Sequence, residues 1–331
     1  MWGARQKLTV RKVMARKRAS AAAGRTYSHT PSVSVLIQSF NHRSNIPAIV
    51  ESIRRTAADE LIVCEDGSSD GSERIWRRHL DRPNDFLIIT NDLHELRSYS
   101  RAAALARGEF IVFLQDDDIP PRTTDWLSHA LSLLRRHPKL AVLGCWNGCV
   151  LDLDDLESSV LYGPNDWELG AGWTRSEDPI PSLDPELKLP FMFIDVVGIG
   201  PVFCRRKDFE ALGGFDLSLS APGEPGIWLD YEICLRAWVS GLQVGLYETE
   251  PFERNVGGRG TMLFGGGKRA ENWRRNRRYV EGQFGSQLDS VHRTIGELNR
   301  QLAPRPSHGI EAGASAPSSS GSASGSAYSG S

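Results

Sequence analysis

Apolar residues in the middle of this 331-residue chain come in short unbroken blocks, not in single alternation. "VSVLIQSF" at 33–40 is one such block, and its β-branched, mainly apolar run predicts a strand buried on both faces. Directly after it, Ile46, Ile49, Val50 and Ile53 recur at helical spacing, with Pro47 suited to a first turn. The couplet then repeats. "ELIVCED" (60–66) reads as a strand and "GSSDGSERIWRRHL" as a turn and helix. "FLIITN" (86–91) is followed by a helix in "SYSRAAALAR", and "EFIVFLQ" by a helix from Trp126 to His137 and the strand "LAVLGCW". Strands alternating with helices predict an α/β fold with a single, mostly parallel sheet, whose working site lies at the carboxyl ends of the strands. Asp66 and the run Asp116–Asp118 fall at such ends.

Residues 151–190 break the regularity and read as a long irregular insertion, suited to ligand-binding loops. The pattern resumes with "FIDVVGIGPVFCRR" (193–206) as one strand-like segment, a helix around "LDYEICLRAWVSG", the strand "LQVGLYE" and the basic, helical "GGKRAENWRRNRRYVEGQFG". The expected organisation is a basic disordered leader over 1–30, one domain over 31–285, a C-terminal helix over 286–303 and a disordered tail over 304–331. That tail is too rich in Ser, Gly and Ala to bury a core.

Charge sharpens this picture. The net charge is only -2, but eight Arg and Lys lie between Arg5 and Arg25, and the first acid is Glu51. Removing those eight from 39 basic residues leaves 31 against 41 acidic ones, so the body is acidic. An acidic body argues against nucleic acid as a partner, and the "WRRNRRY" run (273–279) reads as a solvated or interface-facing helix. The leader has the composition of an organelle transit peptide or of a plain basic extension, and it lacks a secretory apolar core. No apolar run reaches the roughly 18–20 residues of a membrane span, so a soluble chain is expected, cytoplasmic unless the leader targets it. Five scattered cysteines predict reduced thiols in a packed core.

The chemistry concentrates at two strand ends. Three adjacent carboxylates repel one another unless water or a cation lies among them. If the strand pattern continues through them, Asp116 and Asp118 face one way and Gln115 and Asp117 the other. Asp118 has a second reading as cap of the turn before Pro120 and Pro121. "CEDGSSDGS" places Asp66 before small residues whose backbone N–H groups can meet a ligand, although a plain Asp-Gly turn has the same letters.

Taken in order, "VSVLIQSFN", "ELIVCEDGSSDGS", "ARGEFIVFLQDDD", "GGFD" and "LDYEICLRAWVSGLQV" resemble the family 2 glycosyltransferases over residues 31–285. The resemblance implies the GT-A fold, a Rossmann-like nucleotide-diphospho-sugar transferase architecture. It also implies inverting transfer of a sugar from a nucleotide-sugar donor, with uracil the usual base, and a divalent metal, Mn2+ or Mg2+. On this basis Asp66 contacts the base with Gln38 and Phe40 beside it. Asp117 is the direct metal ligand with Asp118 as the further member, and Asp116 lies near the donor sugar. Arg97, Arg254 and Arg259 are available to the donor, guanidinium being suited to phosphate. Asp230 is the base, with Glu232 as fallback. Gly213, Gly214, Phe215 and Trp228 form the acceptor side, where Trp228 reads equally well as core packing. His42 and His94 read either as nucleotide contacts or as turn formers.

Three departures from the family pattern stand out: Gln115 where the first acid of Asp-x-Asp is usual, Leu229 where a Glu precedes the base, and no His in "FERNVGGRGT" (252–261). The first two keep a second function class open, a sugar-nucleotide or glycan binding module without turnover. A sugar-phosphate nucleotidyltransferase is disfavoured, because "QSFNHRS" stands where that class has a Gly-rich, basic loop. The acceptor, whether glycan, lipid or protein, is not encoded in any of these motifs.

Overall fold

The computed structural model describes residues 32–91, 93–145, 147–152, 159–162, 174–175, 180–254 and 266–306. Its first half runs β1 (Val33–Ser39), α1 (Ile46–Arg55), β2 (Glu60–Glu65), α2 (Ser72–His79), β3 (Phe86–Ile89), α3 (His94–Ala103), β4 (Phe110–Gln115), β5 (Asp118–Ile119), α4 (Asp125–Arg136) and β6 (Leu140–Gly144). Short strands follow: β7 (Gly148–Val150), β8 (Val160–Tyr162), β9 (Thr174–Arg175), β10 (Ser182–Leu183), β11 (Phe191–Phe193), β12 (Val196–Val197) and β13 (Val202–Arg205). The chain closes with α5 (Arg206–Ala211), α6 (Leu229–Val239), β14 (Gln243–Tyr247), β15 (Glu253–Arg254), α7 (Gly266–Phe284), α8 (Leu288–Asn299) and β16 (Ala303–Pro304). The leader 1–30, the tail beyond 306 and most of the 151–190 insertion lie outside the described residues.

Eight strands form the main sheet in the order β11-β14-β6-β13-β4-β1-β2-β3. β3, β2, β1 and β4 are mutually parallel, as are β6 and β14. β13 runs antiparallel between β4 and β6, joining the two parallel blocks, and β11 pairs antiparallel at the edge. This is the mostly parallel α/β architecture that the alternation of strands and helices predicts. Its physical cause is visible in burial: every residue of β2 is buried, and Val35, Leu36 and Ile37 of β1 have no exposed surface. Helices on both faces exclude water from side chains pointing either way, and each such aliphatic contributes about 1.5–3 kcal/mol.

Two expectations need correction. The segment 193–206 is not one strand but the end of β11 followed by β12 and β13, because the chain breaks at Ile194–Asp195 and turns again at Gly198–Pro201. The strand expected over 86–91 stops at Ile89, where the Thr90 hydroxyl is taken by Asp66 at 2.8 Å. Toward the C-terminus, α8 is tied to the sheet edge. Asn299 exchanges two hydrogen bonds with the Phe193 backbone, and His292 lies 3.0 Å from the buried Asp195. All five cysteines are free and buried. Among the described residues no helix is long and apolar enough to cross a membrane.

Candidate active site

The acid cluster sits where β4 ends. The strand stops at Gln115, so Asp116 and Asp117 lie in a turn and Asp118 opens β5. Burial divides the three: Asp116 and Asp118 are 6% and 2% exposed, while Asp117 keeps more contact with water. Asp116 holds the loop after β1. Its Oδ2 accepts the Phe40 N–H at 2.6 Å, its carbonyl accepts from Asn45 Nδ2 at 3.0 Å, and its Oδ1 lies 3.3 Å from His42 Nδ1. The Asp116 carboxylate beside His42 raises the imidazole pKa to about 9 against the opposing effect of burial, so the ring is cationic at neutral pH. His42 Nε2 is buried without a hydrogen-bond partner among the described residues, which leaves a charged donor unspent beside the acids. Gln38 and Gln115, in register at the ends of β1 and β4, place two partly buried amides next to one another.

The other strand-end carboxylates are tethers. Glu65 accepts the Ser68 N–H at 2.8 Å and so shapes its own turn. Asp66 accepts from the Thr90 hydroxyl at 2.8 Å and from the Leu93 and His94 N–H groups at 2.9 and 2.8 Å. Burial raises its pKa, and these bonds oppose the rise. Asp66 thus anchors the loop leading into α3, and any base contact competes with three bonds it already accepts. Arg97 is likewise occupied: Nη2 donates to the carbonyls of Leu217 and Ser220 at 3.2 and 2.6 Å, on the acceptor side of the expected cleft.

The "GGFD" loop owes its shape to the end of α5. Gly213, with φ +86°, donates to the Glu210 carbonyl, and Gly214 donates to that of Phe209, a paired capping pattern that needs a left-handed residue at the first glycine. Arg236 holds the loop from α6 through the Gly214 carbonyl at 2.6 Å while pairing with Glu232 at 2.7 Å. Glu232 is therefore committed to Arg236. Phe215 is buried among Tyr99, Phe113 and Phe209. Trp228, 4% exposed, packs on Tyr231 and Trp273 at ring-centroid distances of 4.3 and 5.7 Å.

Asp230 stands in the first turn of α6, partly exposed. Desolvation raises its pKa to about 6, partly offset by the backbone N–H groups of Tyr231 and Ile199, and the charge of Glu95 pushes it further up. The Ile199 contact matters for the geometry of the whole site. One residue on, Gly200 at φ +99° lies so close to β4 that a Cβ there would sit 2.4 Å from Asp118 Oδ2 and 2.8 Å from Gln115 Oε1. The turn 198–201 therefore touches Asp230 on one side and the acid cluster on the other. β15 closes the same end, since Arg254 lies opposite Asp118 in an antiparallel pair. Arg259 lies outside the described residues. Three of the four described non-glycine residues with positive φ, namely Asn41, His94 and Trp228, rim this region, a sign of backbone strain of the kind that gathers at functional sites.

Sequence reasoning missed Glu95, Ile199 and Gly200. Glu95 carried a faint signal, an acid in the first turn of a helix directly after a strand. Among the described residues no three His, Cys, Asp or Glu side chains gather as a metal cage. The oxygen donors of Asp117 and Asp118 fit a divalent cation of the shared kind, held by one or two carboxylates together with phosphate oxygens of a ligand.

Comparison with known proteins gives three kinds of match. Residues 34–177 match the profile of the family described as Glycosyl transferase family 2. The protein named "Putative glycosyltransferase EpsH" of Bacillus subtilis (strain 168) is 35% identical over 92 residues, which is 27% of this chain and 27% of EpsH. The chain thus matches about a quarter of the length of that curated relative. Among solved structures, it is similar to the mannosyltransferase PcManGT from Pyrobaculum calidifontis in complex with GDP-Man and Mn2+. That match has TM-score 0.44 and 15% identity, covering 85% of this chain and 71% of the other. It is also similar to TarS of S. aureus in complex with UDP-GlcNAc, with TM-score 0.43 and 14% identity over 67% of this chain and 57% of the other.

Proposed function

From the match of residues 34–177 to the profile of glycosyl transferase family 2, we propose an inverting glycosyltransferase that uses a nucleotide-sugar donor, with Asp230 as the base. The observation that carries this reading is the turn 198–201, which meets Asp230 through the Ile199 N–H and the acid cluster through Gly200. A base and a phosphate-end site belong on opposite sides of a bond being exchanged, and this turn spans both.

In the proposed step, the acceptor hydroxyl oxygen bonds to the anomeric carbon from the face opposite the leaving group while Asp230 takes its proton. The bond from that carbon to the diphosphate oxygen breaks, and its electron pair leaves with the nucleoside diphosphate. A carboxylate of pKa about 6 is ionised at neutral pH and still basic enough to accept a proton, close to the optimum for general base catalysis. Asp117, with Asp118 as further donor, would hold a divalent cation, Mn2+ or Mg2+, which would neutralise charge on the leaving diphosphate. Cationic His42, with its unspent Nε2 donor, supplies positive charge toward the same phosphates, and Arg254 and Arg259 are further candidates for that role. Gln38, Phe40 and the loop ordered by Asp66 form the nucleoside side, with uracil the first base to test. The Gly213–Phe215 loop and Trp228 form the acceptor wall, with Trp228 acting through its packing.

The test is nucleoside diphosphate release from a panel of nucleotide sugars with Mn2+ or Mg2+, over a range of glycan, lipid and peptide acceptors. Metal-dependent release that falls at least about 10²-fold in Asp230→Asn supports the reading. Release unchanged in that variant removes Asp230 as the base. Donor binding with no turnover across the panel favours the binding-module alternative.

A further inference from the structure

We propose that Glu95 is a positioning residue for the base, fixing from the first turn of α3 the turn on which α6 and Asp230 begin. The inference rests on the reading of Asp230 as base. Glu95 Oε1 accepts the Gly226 N–H at 2.9 Å, and the Gly226 carbonyl in turn accepts the Leu229 N–H at 3.2 Å. The chain of bonds runs from Glu95 to the residue directly before Asp230. Gly226 is pressed against α3 as well: a Cβ there would lie 2.7 Å from Leu96 Cβ and 3.0 Å from Leu229 Cδ2. Two turns with backbones this close move together, so the place of Asp230 depends on where α3 starts.

Glu95 acts on the base by charge as well as by position. Its carboxylate favours the protonated form of Asp230 and so strengthens it as a base. The other groups around Asp230 do not duplicate this. His94 Nδ1 lies 3.8 Å from Glu95 Oε2, and Glu232 on the same helix is neutralised by Arg236. Tyr231, Cys149 and Cys234 are buried, and burial holds each of them in its neutral form. Among these neighbours Glu95 is the acid whose charge raises the base.

The experiment compares Glu95→Gln and Glu95→Ala with wild type in kcat, donor KM, melting temperature and the pH profile of kcat/KM, with Asp230→Asn in parallel. Glu95→Gln keeps an acceptor for the Gly226 N–H and removes the charge. The expected result is an acid limb displaced to lower pH with donor KM and melting temperature unchanged. Glu95→Ala removes both functions and is expected to lower kcat about tenfold or more, with Glu95→Gln restoring most of that loss. A folded Glu95→Ala with wild-type kcat and an unmoved acid limb overturns the inference while Asp230→Asn is inactive. Turnover retained in Asp230→Asn overturns the base reading and the Glu95 inference with it.

Discussion

Replacing Gly200 by alanine separates two kinds of damage, because its position is demanding in both backbone and space. At φ +99° an L residue is strained, at a cost of about 1–2 kcal/mol of stability. The added methyl also falls 2.4 Å from Asp118 Oδ2 and 2.8 Å from Gln115 Oε1. Asp118 is 2% exposed and has little room to retreat, so its carboxylate must shift by roughly 1 Å to restore contact distance. Displacements of that size in a catalytic cleft cost about 10²-fold in rate, or about 2.7 kcal/mol of transition-state stabilisation. The control is Gly241→Ala, at φ +77° with nothing within 4 Å of the new methyl. It should lose the same 1–2 kcal/mol of stability, read by urea unfolding, and keep full nucleoside diphosphate release. Gly200→Ala should show that stability loss and, at a temperature where it is folded, about a 10²-fold fall in kcat/KM. Equal kcat/KM in the two variants would refute the placement of Gly200 against the acid cluster.

Three further outcomes follow from the site. Asp230 is raised from 3.8 to about 6, so its contribution to stability is present below pH 3.8 and is lost as pH rises through about 6. Asp230→Asn should be more stable than wild type at pH 8 by about 1–2 kcal/mol after allowing for partial exposure, and equal to it near pH 4 in a pH series of melting temperatures. His42, raised to about 9, stabilises the fold fully below pH 6.5 and loses that contribution as pH rises through about 9. His42→Gln should therefore cost about 2 kcal/mol at pH 6 and almost nothing at pH 10 by denaturant titration. Donor at about 100 times its Kd in the presence of Mn2+ should stabilise wild type by about 2.7 kcal/mol, and EDTA or Asp117→Asn should remove most of that gain.

The parts of the fold readable in the sequence are those whose cause is local. β1, β2 and β4 are legible because their mainly apolar runs are buried on both faces, and α1 because Ile46, Ile49, Val50 and Ile53 share one buried side. The 193–206 segment misleads because the same apolar letters suit one strand or three, and the breaks at 194–195 and 198–201 follow from pairing with distant strands. The site divides in the same way. Asp116–Asp118 and Asp230 announce themselves as acids at element ends. Whether such an acid waits for a ligand or ties down a loop depends on partners far away in sequence, as with Asp66 and Leu93, 27 positions apart. Glu95 and Gly226 are 131 positions apart, which no local pattern reveals.

Gln115 belongs both to the sheet and to the acid cluster. It stands beside Gln38 across the β1–β4 pair, and its Oε1 faces Gly200. A carboxylate in that place would add another charge next to Asp116 and Asp118, which are already shielded from water, and like charges at such depth force a proton onto one of them. The amide keeps a hydrogen-bonding oxygen at the strand end and adds no charge. The cluster is then left with fewer acids to neutralise, and cationic His42 already sits against Asp116. On the proposed reading, Asp117 and Asp118 would be the pair to share a cation with a diphosphate.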